Sequence, residues 1–198
     1  VTARIPAFIA VENAWVRLEP FDASAHLDGL VGALGHADVF AGGWGGGPAA
    51  ARTGADLAKW LPNYLPVTQW QVFVVREPSG RIVGTTTALD LGPRSESAHV
   101  GYTAYAPDTW GGAVNPATKL LMLERLFDHG FGRVKLQADV RNARSRAAIE
   151  RLGAQFEGIA RRDQQRADGT WRDAAVYSIL VDEWPAVRRR LTERLRAR

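Results

Sequence analysis

Residues 97–153 switch repeatedly between a period of two and a period near 3.6, and this alternation restricts the fold more than any other feature. SAHVGYTAY (97–105) and RVKLQADV (133–140) read as strands. In the second, Val134, Leu136, Ala138 and Val140 share one face. Between them, residues 115–130 make the strongest helix: Asn115 can cap it, Pro116 suits its first position and Gly130 ends it. Leu120, Leu123, Leu126 and Phe127 form its apolar face. Asn142 then caps a helix that carries Ala148, Ile149 and Leu152 to a stop at Gly153.

The flanks extend this unit. On the N-terminal side, NAWVRLEP (13–20) reads as a strand, and Asp22 or Ser24 caps a helix through about residue 35. AGGWGGGP (41–48) is the most flexible-looking stretch, and a second helix runs from Thr53 or Asp56 to Pro62 or Pro66. WQVFVVRE (70–77) and RIVGTTTALDL (81–91), separated by PSG, carry a hairpin signature. On the C-terminal side, strands at about 154–162 and 171–181 flank a turn containing Asp168-Gly169. A last helix then aligns Trp184, Val187, Leu191 and Leu195. Three consecutive strands followed by alternating units predict an α/β (α+β) fold. Its expected form is a mixed, largely antiparallel sheet of about seven strands flanked by helices. A single domain over 1–198 is expected, with its core at about 13–184 and a basic amphipathic helix at about 183–196.

Composition excludes several classes. Hydrophobic residues at 46% and charged residues at 23% mark a globular chain. There is no Cys, so neither a disulfide nor a Cys-based metal site can form, and the four His have no ligand-like spacing. No apolar stretch reaches the roughly 20 residues a membrane span needs. The N-terminal residues do not read as a signal peptide, and a cytoplasmic protein is expected. The net charge of +4 divides into −3 over residues 1–110 and +7 over 111–198. A basic half suits a polyanionic cofactor and an acidic half an amine. The six Arg within 183–198 equally describe the solvated face of a helix, so nucleic acid is not an expected partner.

The loop DTWGGAVNP (108–116) joins a strand to the start of the strongest helix. Exposed N–H groups and the helix dipole favour an anion there, and Gly111 and Gly112 let the backbone approach a phosphate closely. A merely tight turn is the competing reading.

With those residues in view, the stretch AHVGYTAYAPDTWGGAVNPATKLLMLERLFDHGFGRVKLQADVRNARSRAAIERLGAQFEG resembles the core of a GNAT acetyltransferase. More closely it resembles the Rim-like branch of ribosomal-protein N-terminal acetyltransferases. HVGY (99–102), the strand-loop-helix at 110–119, RNARSRAAIERLGA (141–154), EG (157–158) and RADGTWRDAAVYSIL (166–180) carry the resemblance, which spans roughly 13–184. It implies acetyl-CoA as cosubstrate and no metal. The pantetheine would lie between two splayed strands, 97–105 and 133–140, and the pyrophosphate on the loop of Trp110, Gly111, Gly112, Ala113, Val114 and Asn115. The family loop, Gln/Arg-x-x-Gly-x-Gly/Ala, falls on Trp110, Ala113 and Asn115, and none of the three matches. Lys119, one turn into the helix, either reaches a phosphate oxygen as a point charge or is a solvated surface lysine.

Acetyl transfer to an amine needs a proton acceptor, an oxyanion donor and a proton donor for the leaving thiolate. The resemblance assigns the oxyanion to a backbone N–H around Thr103, Ala104 and Tyr105. Asn142 and Ser145 match an Asn-x-x-Ser of the branch: Asn142 holds pantetheine or a water, or only caps its helix. Ser145 stands near the sulfur as the acid, or only bonds backbone. His99 occupies a place where relatives often carry Glu, and its near-neutral reference pKa suits a base. Glu96 and Asp90 are alternatives, acting directly or through water. Trp44 closes over the acceptor, with Asp90 nearby, or anchors its loop to the core.

No strong base stands out, which favours an acceptor of low pKa. An α-amine with a pKa of about 7.7–8.0 is roughly a tenth neutral at pH 7, whereas a Lys side chain near 10.4 is almost wholly charged. The expected acceptor is a protein N-terminal or small-molecule amine. A drug, polyamine or amino-acid acetyltransferase, and a non-catalytic acyl-CoA-binding or RNA-associated protein, are the competing readings. A homodimer through the last helix or an edge strand is also compatible with the sequence.

Overall fold

The computed structural model describes residues 2–197. Its strands are β1 (Val11–Glu12), β2 (Arg17–Pro20), β3 (Gln71–Arg76), β4 (Ile82–Gly92), β5 (Ser97–Tyr105), β6 (Arg133–Asp139), β7 (Gln155–Gln165) and β8 (Trp171–Leu180). Its helices are α1 (Ala23–Leu34), α2 (Ala37–Ala41), α3 (Gly54–Tyr64), α4 (Val114–Phe127), α5 (Ala143–Leu152) and α6 (Trp184–Arg196). All eight strands join one sheet in the order β1-β2-β3-β4-β5-β6-β8-β7. Every neighbouring pair is antiparallel except β5 and β6, which α4 links by a crossover.

The eighth strand, β1, lies just before the segment read as a strand over 13–20. The Asn13 Oδ1 accepts from the N–H groups of Trp15 and Val16, and this side-chain turn joins β1 to β2 as a short hairpin. Asp22 caps α1 by accepting from the Ser24 N–H. The helix read from Thr53 ends at Tyr64, two residues past the Pro62 it contains.

Alternating strand residues feed two apolar clusters on the two faces of the sheet. Val72 and Val74 pack with Leu30, Leu57 and Leu61 of α1 and α3. Phe73 and Val75 belong with Leu123 and Leu126 of α4, Leu152 of α5 and Leu191 of α6. Each such fully buried aliphatic side chain contributes roughly 1.5–3 kcal/mol.

Two details of α4 differ from expectation. It starts at Val114 after Ala113, with no side-chain cap, so Asn115 and Pro116 are its second and third residues. It also ends at Phe127, three residues before Gly130, whose φ is +84°. The entry is fixed instead by a 3₁₀ turn at Pro107–Thr109 and the Gly112 N–H donating to the Thr109 carbonyl at 3.1 Å. Among the described residues no side chain caps the first-turn amides of α4.

Candidate active site

β5 and β6 pair only at Ser97–Arg133, Ala98–Val134 and His99–Lys135. Beyond that point β5 stays with β4, and β6 stays with β8 as far as Asp139 opposite Ala174. The separation has a local cause. Between Thr85–Ala104 and Thr87–Gly101 the β4–β5 register shifts, and Tyr102 takes φ +48°. This bulge turns β5 away from β6. The resulting cleft opens into a cavity of about 920 Å³ that reaches the start of α4 and the corner between β6 and α5.

One end of the cavity is basic. Gly111, Gly112 and Asn115 line it at the start of α4, whereas Ala113 and Val114 do not. Trp110 donates its indole N–H to the Tyr105 carbonyl at 3.0 Å, which ties the loop to the end of β5. The Arg144 guanidinium carbon lies 3.4 Å from the centre of the Trp110 ring, and Arg151 and Arg194 also face the cavity. Alignment on the acetyltransferase motif gave no hint of Arg144.

Another part of the cavity wall is aromatic. Trp44 packs edge-on against Phe40, Trp60 and Tyr64, with ring centroids 5.2–5.8 Å apart, and Tyr64 contacts Tyr102. The glycine stretch around Trp44 is therefore not a loose loop. Gly43, Gly45, Gly46 and Gly47 all have φ between +67° and +105°, a region that a side chain disfavours. A Cβ on Gly45 would stand 2.9 Å from Trp60, and one on Gly42 would stand 2.6 Å from the Asn142 amide nitrogen. The Gly46 carbonyl accepts from the Ala167 N–H at the tip of the β7–β8 hairpin. The glycines serve close packing among three elements, and Trp44 both anchors the loop and lines the cavity.

The hairpin tip is held by an ion pair that the sequence did not reveal. Arg166 donates from Nε and Nη2 to Asp139 Oδ2 at 3.0 and 2.7 Å, with both side chains buried. Asp139 Oδ1 accepts from the Arg141 N–H, so this pair also sets the corner leading into α5. There Asn142 is a helix cap, its Oδ1 accepting from the Ser145 N–H at 2.9 Å. Ser145 lines the cavity, and its hydroxyl has no partner among the described residues.

Around the parting point the polar groups are buried. His99 is 5% exposed, its Nδ1 is 3.3 Å from Asp90 Oδ2 and its Nε2 has no partner among the described residues. Burial, and then the positive charge of Lys135, lower its pKa to about 3, against the opposing pull of Asp90. Burial thus favours the neutral imidazole and makes His99 a weaker base than a free histidine. Asp90, with φ +50°, is half exposed on the cavity and lies 3.7 Å from the Lys135 Nζ. Glu96 lies outside the cavity, at the turn into β5, where its carbonyl accepts from Gly132 and Arg133.

Lys119 is not a solvated surface lysine, and it lines the same cavity as Gly111, Gly112 and Asn115 of the phosphate loop. Only 5% exposed, it points into the cavity wall and donates to Thr103 Oγ1 at 2.7 Å. Thr103 is in turn 2.9 Å from Thr86 Oγ1. Burial lowers the Lys119 pKa to about 7. Thr103, Ala104 and Tyr105 line the cavity on the β5 edge that faces the cleft.

Comparison with known proteins agrees with this geometry. Residues 16–155 match the family model described as "Acetyltransferase (GNAT) domain". The Bacillus subtilis (strain 168) protein named "Putative ribosomal N-acetyltransferase YdaF" is 30% identical over 139 residues, covering 69% of this chain and 74% of that protein. A GCN5-related N-acetyltransferase from Brucella melitensis superposes with a TM-score of 0.86 at 28% identity, over 98% of this chain and 89% of its own. Mycobacterium smegmatis RimJ, solved in complex with CoA-disulfide, shares the fold with a TM-score of 0.67 at 21% identity, over 90% of this chain and 88% of its own. On the family match and the parted strands alike, the chain belongs to the GNAT acetyltransferase family.

Proposed function

We propose that this chain transfers the acetyl group of acetyl-CoA to a low-pKa amine by direct attack in a ternary complex, and that its acceptor is a protein N-terminal α-amine. The observation that carries the reading is the parting of β5 and β6 beyond His99 and Lys135, between a basic mouth and an aromatic wall.

The residues present fit acetyl-CoA. The uncapped first-turn amides of α4 suit the pyrophosphate, and a Cβ on Gly111 would meet nothing, so the approach there is open. Arg144, Arg151 and Arg194 supply positive charge for the remaining phosphate. The β5 edge from Thr103 to Tyr105 would pair with the pantetheine amides and offer a backbone N–H to the carbonyl oxygen. Acetyl-CoA supplies an acyl group activated by its thioester.

The acceptor assignment follows from the lack of a strong base. Burial leaves His99 a poor proton acceptor, so the amine is best delivered already neutral. The gap of about 2.5 pKa units between a Lys side chain and an α-amine adds about 3.4 kcal/mol to the deprotonation of the former. The name of the Bacillus subtilis relative also points toward ribosomal proteins, and a cytoplasmic setting is part of the same reading.

Mass spectrometry of peptides with free N-termini and internal Lys, incubated with acetyl-CoA, tests this. Acetylation of the α-amine is expected to exceed that of Lys by on the order of 10²-fold. Preference for Lys, polyamines or small drugs would overturn the acceptor assignment. Failure with every amine favours the non-catalytic reading.

A further inference from the structure

Lys119 is the one buried cation lining the cavity for which no carboxylate is found within salt-bridge distance among the described residues. It stands on α4 with its ammonium turned toward β5, where the bulge at Tyr102 opens the cleft. An ammonium has three donors, and among the described residues only the bond to Thr103 is made. The Thr103–Thr86 hydroxyl pair fixes the position of the nitrogen without neutralising it. Such an arrangement costs stability and suits an anion that forms only during reaction.

Resting on the acetyl-transfer reading above, we propose that Lys119 donates the proton taken up by the departing CoA thiolate. As the amine nitrogen bonds to the carbonyl carbon, the C–S bond breaks and its electron pair passes to sulfur. Lys119 gives that sulfur a proton, the amide nitrogen releases one to water, and cavity water reprotonates Lys119. The products are the amide and the CoA thiol, with atoms and charge balanced.

The protonation states agree. With its pKa brought to about 7, Lys119 is about half ammonium at neutral pH, and transfer to a thiolate of pKa about 8.5 runs downhill. The Ser145 hydroxyl is a far weaker acid than a thiol, so transfer from it runs uphill. The charged or titratable groups that share the cavity from the surrounding elements are Tyr64, Asp90, His99, Tyr102, Tyr105, Lys135, Asp139, Arg144, Arg151, Asp163, Arg172 and Arg194. Tyr105 is pushed above the ordinary phenol range by burial, so it does not compete as a donor near neutral pH.

Lys119→Met keeps the length and removes the charge. The variant is expected to melt at or above the wild-type temperature and to bind acetyl-CoA within about two-fold of wild type, while kcat falls about 10²-fold. Its kcat profile should lose the decline that wild type shows as pH rises through about 7. Ultraviolet titration of bound CoA gives a readout apart from turnover: the thiol should ionise at lower pH in wild type than in the variant. Lys119→Gln replaces the Met variant if that one does not fold. Unchanged kcat and unchanged thiol ionisation would overturn the proposal, as would lost affinity with kcat intact, which makes Lys119 a cofactor anchor. Absent binding and turnover in wild type itself would instead defeat the acetyl-transfer reading.

Discussion

The Arg144 guanidinium carbon lies 3.4 Å from the centre of the Trp110 ring, joining the first turn of α5 to the loop that opens α4. Trp110 is itself bonded to the Tyr105 carbonyl, so three elements at the mouth of the cleft meet at one indole. A stacked cation of this kind is worth about 0.5–2 kcal/mol and is held ready for a phosphate. Arg144→Ala is expected to weaken acetyl-CoA binding about ten-fold, and more at low salt than at high salt. Trp110→Ala should weaken it as well, and Arg144→Lys should restore only part. Equal affinity across all three variants by calorimetry would remove Arg144 from the cofactor site.

His99 gives a prediction with a defined sign. Its folded-state pKa of about 3 lies below the ordinary value of about 6.5, so in acid the unfolded chain binds a proton that the folded chain refuses. Stability is therefore lost as pH falls from about 6.5 toward 3. His99→Gln removes that contribution and should flatten the acid limb of urea-unfolding stability by on the order of a few kcal/mol. If wild type and variant lose the same stability between neutral pH and about pH 4, the imidazole is not buried neutral.

The Arg166–Asp139 pair should behave as a buried one, since both side chains are under a tenth exposed. Arg166→Ala strands the carboxylate and is expected to cost about 3–5 kcal/mol in chemical denaturation. Arg166→Met combined with Asp139→Asn should recover much of this. A cost under about 1 kcal/mol for the single change would class the pair with exposed salt bridges.

Two glycine substitutions separate packing from propensity. Gly45 has φ +67° and a Cβ there would press on Trp60 and Phe40, so Gly45→Ala should destabilise by about 1–3 kcal/mol. Gly32 lies within α1 with open space around it, and Gly32→Ala should stabilise by about 0.5–1 kcal/mol. Thermal melts of both variants check the contrast. Equal shifts would mean that the glycine stretch is not held by its contacts.

The element order was legible because period-two and period-3.6 patterns are local properties of the chain. The cleft was legible only through the family resemblance, because the bulge at Tyr102 has no sequence marker of its own. What escaped prediction depended on distant partners. Asp139 and Arg166 are 27 residues apart, and nothing in either neighbourhood announces the other. The glycine stretch looked loose because glycine permits both freedom and close contact, and only the facing Trp60, Asn142 and Ala167 decide between them. Lys119 carried a signal that went unread: it precedes Leu123 and Leu126 by four and seven residues, which puts it on the buried stripe of α4. Asn142, by contrast, was read as a possible cap and is one, since that bond is local.

The central claim is that the cleft between β5 and β6 receives acetyl-CoA, and calorimetric titration of the intact chain with acetyl-CoA tests it most directly. The account predicts one site per chain with a Kd in the micromolar range, weakened by added salt as expected for phosphates held by Arg144 and its neighbours. No heat of binding at ligand concentrations up to about 1 mM would contradict it.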